Sequence, residues 1–267
     1  MSAPPPTHWN SLYGTKDRLG PPLRPHATVI AAYKEILARH DERILLLGVT
    51  PGLADTGAEL VAVDRSEVAL SRVWPGDTER RRATKGDWLA LEFPPAHFSA
   101  AVGDGSLNSI AYPGAYAALF AQLARVLRPG AVFVTRVYAA PETPESAAEV
   151  MDHARAGRIK VFNAFKWRFA MALTAAAGDP NIEVRFIRDG FDRACPDRAA
   201  LAASAGWDTE DIATIDVYKD SRVIYSFPTI AQARASVPPA FGDIRIVAVG
   251  GYELAERCPL MAMTRGQ

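Results

Sequence analysis

The sequence predicts a doubly wound α/β protein with a mostly parallel sheet. Three observations predict it. Short apolar runs end on turn residues or acids: Ile44–Leu47 at Gly48, and Leu60–Val63 at Asp64. Such runs, bounded in this way, read as strands buried on both faces of a parallel sheet. Strand and helix patterns alternate between residues 40 and 140, as βαβ units require. The helix pattern Ala115–Leu127 is stopped by Pro129-Gly130 and followed at once by the apolar run Ala131–Thr135.

Taken in order, residues 1–25 are proline-rich with interleaved aromatics, Trp9 and Tyr13, and read as an arm rather than core. Val29, Ile30, Tyr33, Ile36 and Leu37 recur at helical spacing and lead into strand one. Strand one is Ile44–Leu47, strand two Leu60–Asp64, and a short third strand ends near Lys85. The fourth is His97–Val102 and the fifth Ala131–Arg136. Pro141-Glu142-Thr143-Pro144-Glu145-Ser146 is a helix start signal, and residues 145–178 are helical in pattern. Short helices are expected over 198–237, around Tyr225–Thr229. Ile244–Val249 and Leu260–Thr264 read as two last strands joined by Gly250–Pro259. This divides the chain into an arm (1–25), a ligand-binding core (26–140), a helical insertion or lid (141–240) and a strand pair completing the core sheet (241–267).

The richest stretch is Arg43–Ser66. A strand, a small-residue turn (Val49-Thr50-Pro51-Gly52) and a second strand ending in Asp64 make a nucleoside-binding corner. The glycines let a ligand approach the backbone, and an acid about 20 residues on can accept both ribose hydroxyls. The G-x-G-x-x-G pattern that cradles a pyrophosphate is absent, and Pro51 has no N–H to offer. The turn therefore suits a nucleoside without pyrophosphate, such as S-adenosylmethionine, and disfavours a nicotinamide-dependent oxidoreductase. Asp87, in Lys85-Gly86-Asp87-Trp88, is placed to accept the adenine amino group, with Trp88 beside the ring. The fourth strand runs into Gly103-Asp104-Gly105-Ser106, near the ligand's tail.

This order, with Leu127-Arg128-Pro129-Gly130-Ala131 before strand five, resembles the class I S-adenosylmethionine-dependent methyltransferases over roughly residues 40–140. More narrowly it is similar to a little-characterised bacterial group, through Pro21-Pro22-Leu23-Arg24-Pro25, Leu47-Gly48-Val49-Thr50-Pro51 and Phe165–Met171. The resemblance implies a Rossmann-like, seven-stranded sheet whose last strand is antiparallel, with the helical insertion before the last two strands. It implies S-adenosylmethionine as cofactor, held by Gly48, Thr50, Pro51, Gly52, Asp64, Arg65, Asp87, Trp88, Asp104, Gly105 and Ser106. Arg24 would pair with the methionine carboxylate if the arm folds over. Two departures stand out. Leu46 replaces the acid two residues before the first glycine, and Thr50 replaces the middle glycine. The acid helps hold the methionine amino group, so another group must take over that contact.

Charge is balanced, with 30 Lys+Arg against 30 Asp+Glu, which argues against a nucleic-acid substrate. No apolar run reaches membrane-spanning length, and residues 1–6 lack the pattern of a signal peptide, so a cytoplasmic, membrane-free protein with a small-molecule substrate is expected. Cys195 and Cys258 read as buried thiols, and the five histidines show no ligand spacing, so no metal is expected. Methyl transfer needs alignment more than acid–base groups. Asp104, Tyr138 and His153 are the candidates for a base, and none is singled out. Phe162, Phe165 and Phe169 form a helical stripe, read first as core and second, with Tyr225, as the lining of an acceptor pocket. The expected function is methyl transfer to a small-molecule acceptor. The alternative is a non-catalytic S-adenosylmethionine-binding or regulatory protein of the same fold.

Overall fold

The computed structural model describes residues 18–267. Trp9, Tyr13 and the rest of the expected arm before Arg18 lie outside the described residues. Helix α1 (Ala27–Leu37) is capped by His26, whose Nδ1 accepts the amide of Thr28. Strand β1 (Arg43–Leu47) follows, then β2 (Glu59–Asp64), α2 (Glu67–Arg72) and β3 (Arg81–Lys85). Strand β4 is Phe98–Asp104, α3 is Gly114–Val126 and β5 is Leu127–Arg136. Two closing strands, β8 (Phe241–Val247) and β9 (Leu260–Arg265), complete a seven-stranded sheet of order β3-β2-β1-β4-β5-β9-β8. Strands β1 to β5 pair in parallel, and β9 is antiparallel to both its neighbours.

The sheet is buried on both sides because its strands alternate between two cores. Ile44 and Leu46 pack with Val29, Tyr33 and Leu37 of α1. Leu45 and Leu47 pack with Tyr116, Leu119, Phe120 and Leu123 of α3. Each strand serves two helical layers, which is why β1 reads as an unbroken apolar run instead of an alternating one.

Between β5 and β8 lie α4 (Ala147–Arg155), α5 (Phe162–Ala177), α6 (Val184–Ala194), α7 (Arg198–Ala205), α8 (Thr209–Ala213) and α9 (Ile230–Ala235). The start signal before α4 is real: Ser146 and Glu149 form a reciprocal capping box. The helical pattern over 145–178 is broken at residues 156–161, where Gly157 takes φ +63°. The strand β6 (Asn181–Glu183) pairs antiparallel with β7 (Ile224–Ser226), a contact no local pattern announces. Here Phe162, Phe165 and Phe169 pack against Phe191, and the first two also against Trp207. They form a third core, joined to the sheet where Trp167 meets Tyr138. The stripe is core. Tyr225 is buried among the same residues, so it does not face an open acceptor cavity.

Lys166 lies in that core with no exposure. Its ammonium meets Thr214 Oγ1 at 3.2 Å and the rings of Phe162 and Tyr218. Burial pulls its pKa down to about 7.

Candidate functional site

The carboxyl edge of the sheet carries the predicted corner. Gly48 sits at φ +95°, a conformation that favours glycine. Its amide donates to the carbonyl of Val63 at 2.9 Å, and the indole of Trp88 donates to the same oxygen at 2.6 Å. One carbonyl at the end of β2 thus fixes both the turn and the ring. A Cβ at Gly48 would lie 3.6 Å from Trp88 Cζ2 and 3.8 Å from Asp64 Oδ2. Gly48, Asp64 and Trp88 therefore converge on one point.

Asp64 accepts the amide of Ser66 on Oδ1 at 2.8 Å. Burial pushes its pKa up, opposed by the amide of Ser66 and the positive charge of Arg65. Arg65 itself is exposed. Asp87 is also exposed. Its Oδ1 accepts the amide of Leu89 at 2.9 Å and opens the short turn Trp88–Ala90.

Thr50 precedes the turn Pro51–Leu53, whose first two residues are exposed. Gly52 has a packing task. A Cβ there would come within 2.6 Å of Ile30 Cδ1 and 3.9 Å of Pro25, so its lack of a side chain lets α1 and the arm approach. Arg24 is exposed in a turn where its amide donates to Gly20. The arm reaches the sheet edge beside it, because Tyr138 donates to the carbonyl of Pro22 at 3.1 Å.

At the tip of β4 the arrangement is different. Asp104 is not a free acid: Arg136 Nε lies 2.7 Å from Oδ1, and Nη2 donates to Oδ2 at 3.0 Å. The two side chains are 4% and 0% exposed. Burial pushes the Asp104 carboxyl up, and the adjacent guanidinium pulls against it. Arg136 Nη2 also donates to Tyr138 Oη at 2.8 Å. Tyr33 donates to Gly103 O and accepts the amide of Arg136, both at 2.7 Å, and clamps β4 to β5. Gly105 takes φ +71°, and a Cβ there would run into the Tyr138 ring. Ser106 is buried, with its hydroxyl 3.1 Å from that of Thr135. Asn108 donates to the carbonyls of Tyr138 and Ser226 and accepts the amide of Tyr138, tying this edge to the helical region.

Sequence reasoning passed over Arg136 and Tyr33. The signal for Arg136 was present: it closes an apolar strand as Asp64 and Asp104 do. Tyr33 gave none, because it reads as one more apolar residue of a helix stripe.

Residues 48–135 match the family model described as "Methyltransferase domain". No curated protein matches. Among solved structures, the chain is similar to a protein from Rhodobacter sphaeroides provisionally named a Zn-dependent alcohol dehydrogenase, with a TM-score of 0.57 and 14% identity over 97% of this chain and 99% of that one. It is similar to a SAM-dependent methyltransferase from Methanosarcina mazei, with a TM-score of 0.51 and 12% identity over 86% and 97%. It is also similar to the N-methyltransferase NodS from Bradyrhizobium japonicum, solved with S-adenosyl-L-homocysteine, with a TM-score of 0.52 and 11% identity over 98% and 100%. These likenesses establish the fold. The match at 48–135 gives that stretch a methyltransferase domain, and with the fold it supports the class I S-adenosylmethionine-dependent methyltransferases, whose cofactor is S-adenosylmethionine.

The residues present fit that cofactor at one place: the Gly48–Asp64–Trp88 corner leaves a carboxylate oxygen facing a side-chain-free backbone.

Proposed function

We propose that this protein transfers a methyl group from S-adenosylmethionine to a small-molecule acceptor. The convergence of Gly48, Asp64 and Trp88 carries the reading. Asp64 accepts the ribose hydroxyls, Asp87 the adenine amino group, and Gly48 brings backbone against the nucleoside, with Trp88 beside the base. S-adenosylmethionine, when bound, supplies an electrophilic methyl group. What the chain adds is orientation and exclusion of water. Asp104, held by Arg136, is not the group that takes a proton from the acceptor.

An open depression of about 400 Å³ offers room for a small acceptor. It lies past the end of β5, between Ala139, Ala140, Pro141 and Glu142 on one side and Ile230 and Arg257 on the other. Balanced charge also favours a small molecule over nucleic acid. Calorimetry with S-adenosylmethionine, S-adenosylhomocysteine and NAD tests the ligand: the first two bind and NAD does not. Binding of NAD alone would overturn the reading.

One observation favours a second reading, a binding protein without turnover. The acid at position 46 is replaced by a buried leucine, and Asp104 is engaged with Arg136. Methylation of any acceptor in a compound library, followed as S-adenosylhomocysteine release, decides for the enzyme.

A further inference from the structure

Two parts of the molecule have no task in the reaction as described: the buried Lys166, and the segment Arg18–Pro25 that precedes α1. They meet at the seam between α5 and α8. Asn163 of α5 donates to the carbonyl of Arg18 at 3.3 Å. The guanidinium of Arg18 donates to Asp211 at 3.0 Å, to Asp208 at 3.2 Å and to Glu210. Lys166 follows Asn163 by three residues and so stands on the same side of α5. Its ammonium donates to Thr214 Oγ1, which in turn donates to the carbonyl of Asp211 at 2.6 Å. Asp211 therefore lies between two cations, one at the surface and one in the core.

Asp211 is the charged group whose field reaches Lys166. The rings of Phe162 and Tyr218 complete the surroundings of the amine. Asp216, on the same turn as Tyr218, is held by Arg188 and Arg198. Burial outweighs Asp211 and leaves Lys166 titrating at about 7. A protonated Lys166 draws on Asp211 from inside and weakens the hold on Arg18. With Lys166 neutral, Arg18 alone, among the described residues, answers three carboxylates.

What Arg18 anchors is a strap over the carboxyl edge. Leu19 and Pro22 are buried, and Leu23 packs on the third core. Tyr138, just past β5, donates to the carbonyl of Pro22 at 3.1 Å. Pro25 lies 3.9 Å from where a Cβ of Gly52 would stand, in the turn after β1. The strap thus spans from the side of the depression past β5 to the side of the nucleoside corner.

We propose that Lys166 and Arg18 compete for Asp211, so that proton loss from Lys166 fastens the strap and slows exchange of the ligand beneath it. The effect on ligand exchange rests on the reading that S-adenosylmethionine binds at this edge. The coupling is reciprocal: a fastened Arg18 must also disfavour the proton on Lys166.

Two measurements on the full chain test this. The first needs no ligand: the Lys166 ε-carbon is titrated by NMR in the wild type, Arg18→Met and Arg18→Lys. Arg18→Met is expected to raise the proton affinity of Lys166 by roughly 2- to 5-fold, and Arg18→Lys, which keeps the charge, to leave it near the wild type. An unchanged titration in Arg18→Met overturns the proposal, as does an equal rise in both variants. The second is S-adenosylhomocysteine dissociation followed by stopped flow. The wild type should release it roughly 2- to 5-fold more slowly at pH 8 than at pH 6, and Lys166→Met should lose that difference. Asp64 is intact in both proteins, so a pH effect of its own would survive in Lys166→Met. A difference fully kept in folded Lys166→Met overturns the proposal, and if that variant does not fold, the lysine titration decides. Failure of the wild type to bind S-adenosylhomocysteine at any pH overturns the cofactor reading instead, and the titration still decides the competition for Asp211.

Discussion

The two halves of the carboxyl edge solve different problems with similar residues. At β1 and β2, Asp64 is partly exposed, its Oδ1 takes one amide, and Oδ2 faces the glycine turn. At β4 and β5, Asp104 is buried in a contact with Arg136, whose guanidinium donates to Tyr138 just past β5 and whose backbone amide donates to Tyr33 of α1. Both acids end apolar strands. One keeps a carboxylate oxygen open toward the glycine turn. The other helps hold the fold together. Position at a strand tip makes an acid available to the edge, and its neighbours decide which of the two roles it takes.

The largest effect that sharpens this contrast is on stability. Asp104→Ala leaves Arg136 charged and buried, and is expected to cost about 3–5 kcal/mol in denaturant unfolding. Asp64→Ala should change the same measurement by less than about 1 kcal/mol. Equal losses would erase the distinction between the halves.

Next is Gly48→Val. It puts a branched side chain at φ +95°, against Trp88 and Asp64. S-adenosylhomocysteine binding should fall by more than about 100-fold while circular dichroism stays native. Normal binding by this variant would place the ligand elsewhere.

A second buried cation extends the comparison. Arg136 has Asp104, whereas Lys166 has a hydroxyl and two rings, and its pKa is depressed to about 7. An unfolded lysine titrates near 10.4. Below about pH 7 both states are protonated and the cost of the buried charge is complete. Between about pH 7 and 10 only the unfolded state holds the proton, so this cost falls as pH rises. Lys166→Met is therefore expected to raise stability by on the order of 2 kcal/mol at pH 7 and below, with the gain fading toward pH 10. Thermal unfolding across that range checks it, and a gain independent of pH would mean that the charge is not its source.

An effect of similar size concerns the β1–β2 half. Asp64→Ala should weaken S-adenosylmethionine and S-adenosylhomocysteine alike, by about 1.5–3 kcal/mol. In the wild type, affinity should be complete at neutral pH and decline as pH falls through the raised pKa of Asp64, because the ionised carboxylate is the stronger acceptor. Affinity that holds flat into the acid range would remove Asp64 from the ribose contact.

Much of this protein was legible in its sequence. The five parallel strands, the helix before each of β1 and β5, and the closing strand pair follow from apolar runs and their punctuation, since burial on both faces leaves a local mark. The glycine at φ +95° and the acid at the tip of β2 were legible for the same reason: each is dictated by its own short segment. The break between α4 and α5, the β6–β7 pair and the core role of the phenylalanine stripe were not, because they depend on segments up to dozens of residues apart. The partner of Asp104 lay 32 residues away, and the tyrosine that clamps Gly103 to Arg136 lay 70 residues before Gly103. Sequence determined which residues stand at the carboxyl edge, because backbone pattern sets where strands end. Only the tertiary structure decided which acid stays open and which is neutralised, because that depends on charges and burial contributed by distant parts of the chain.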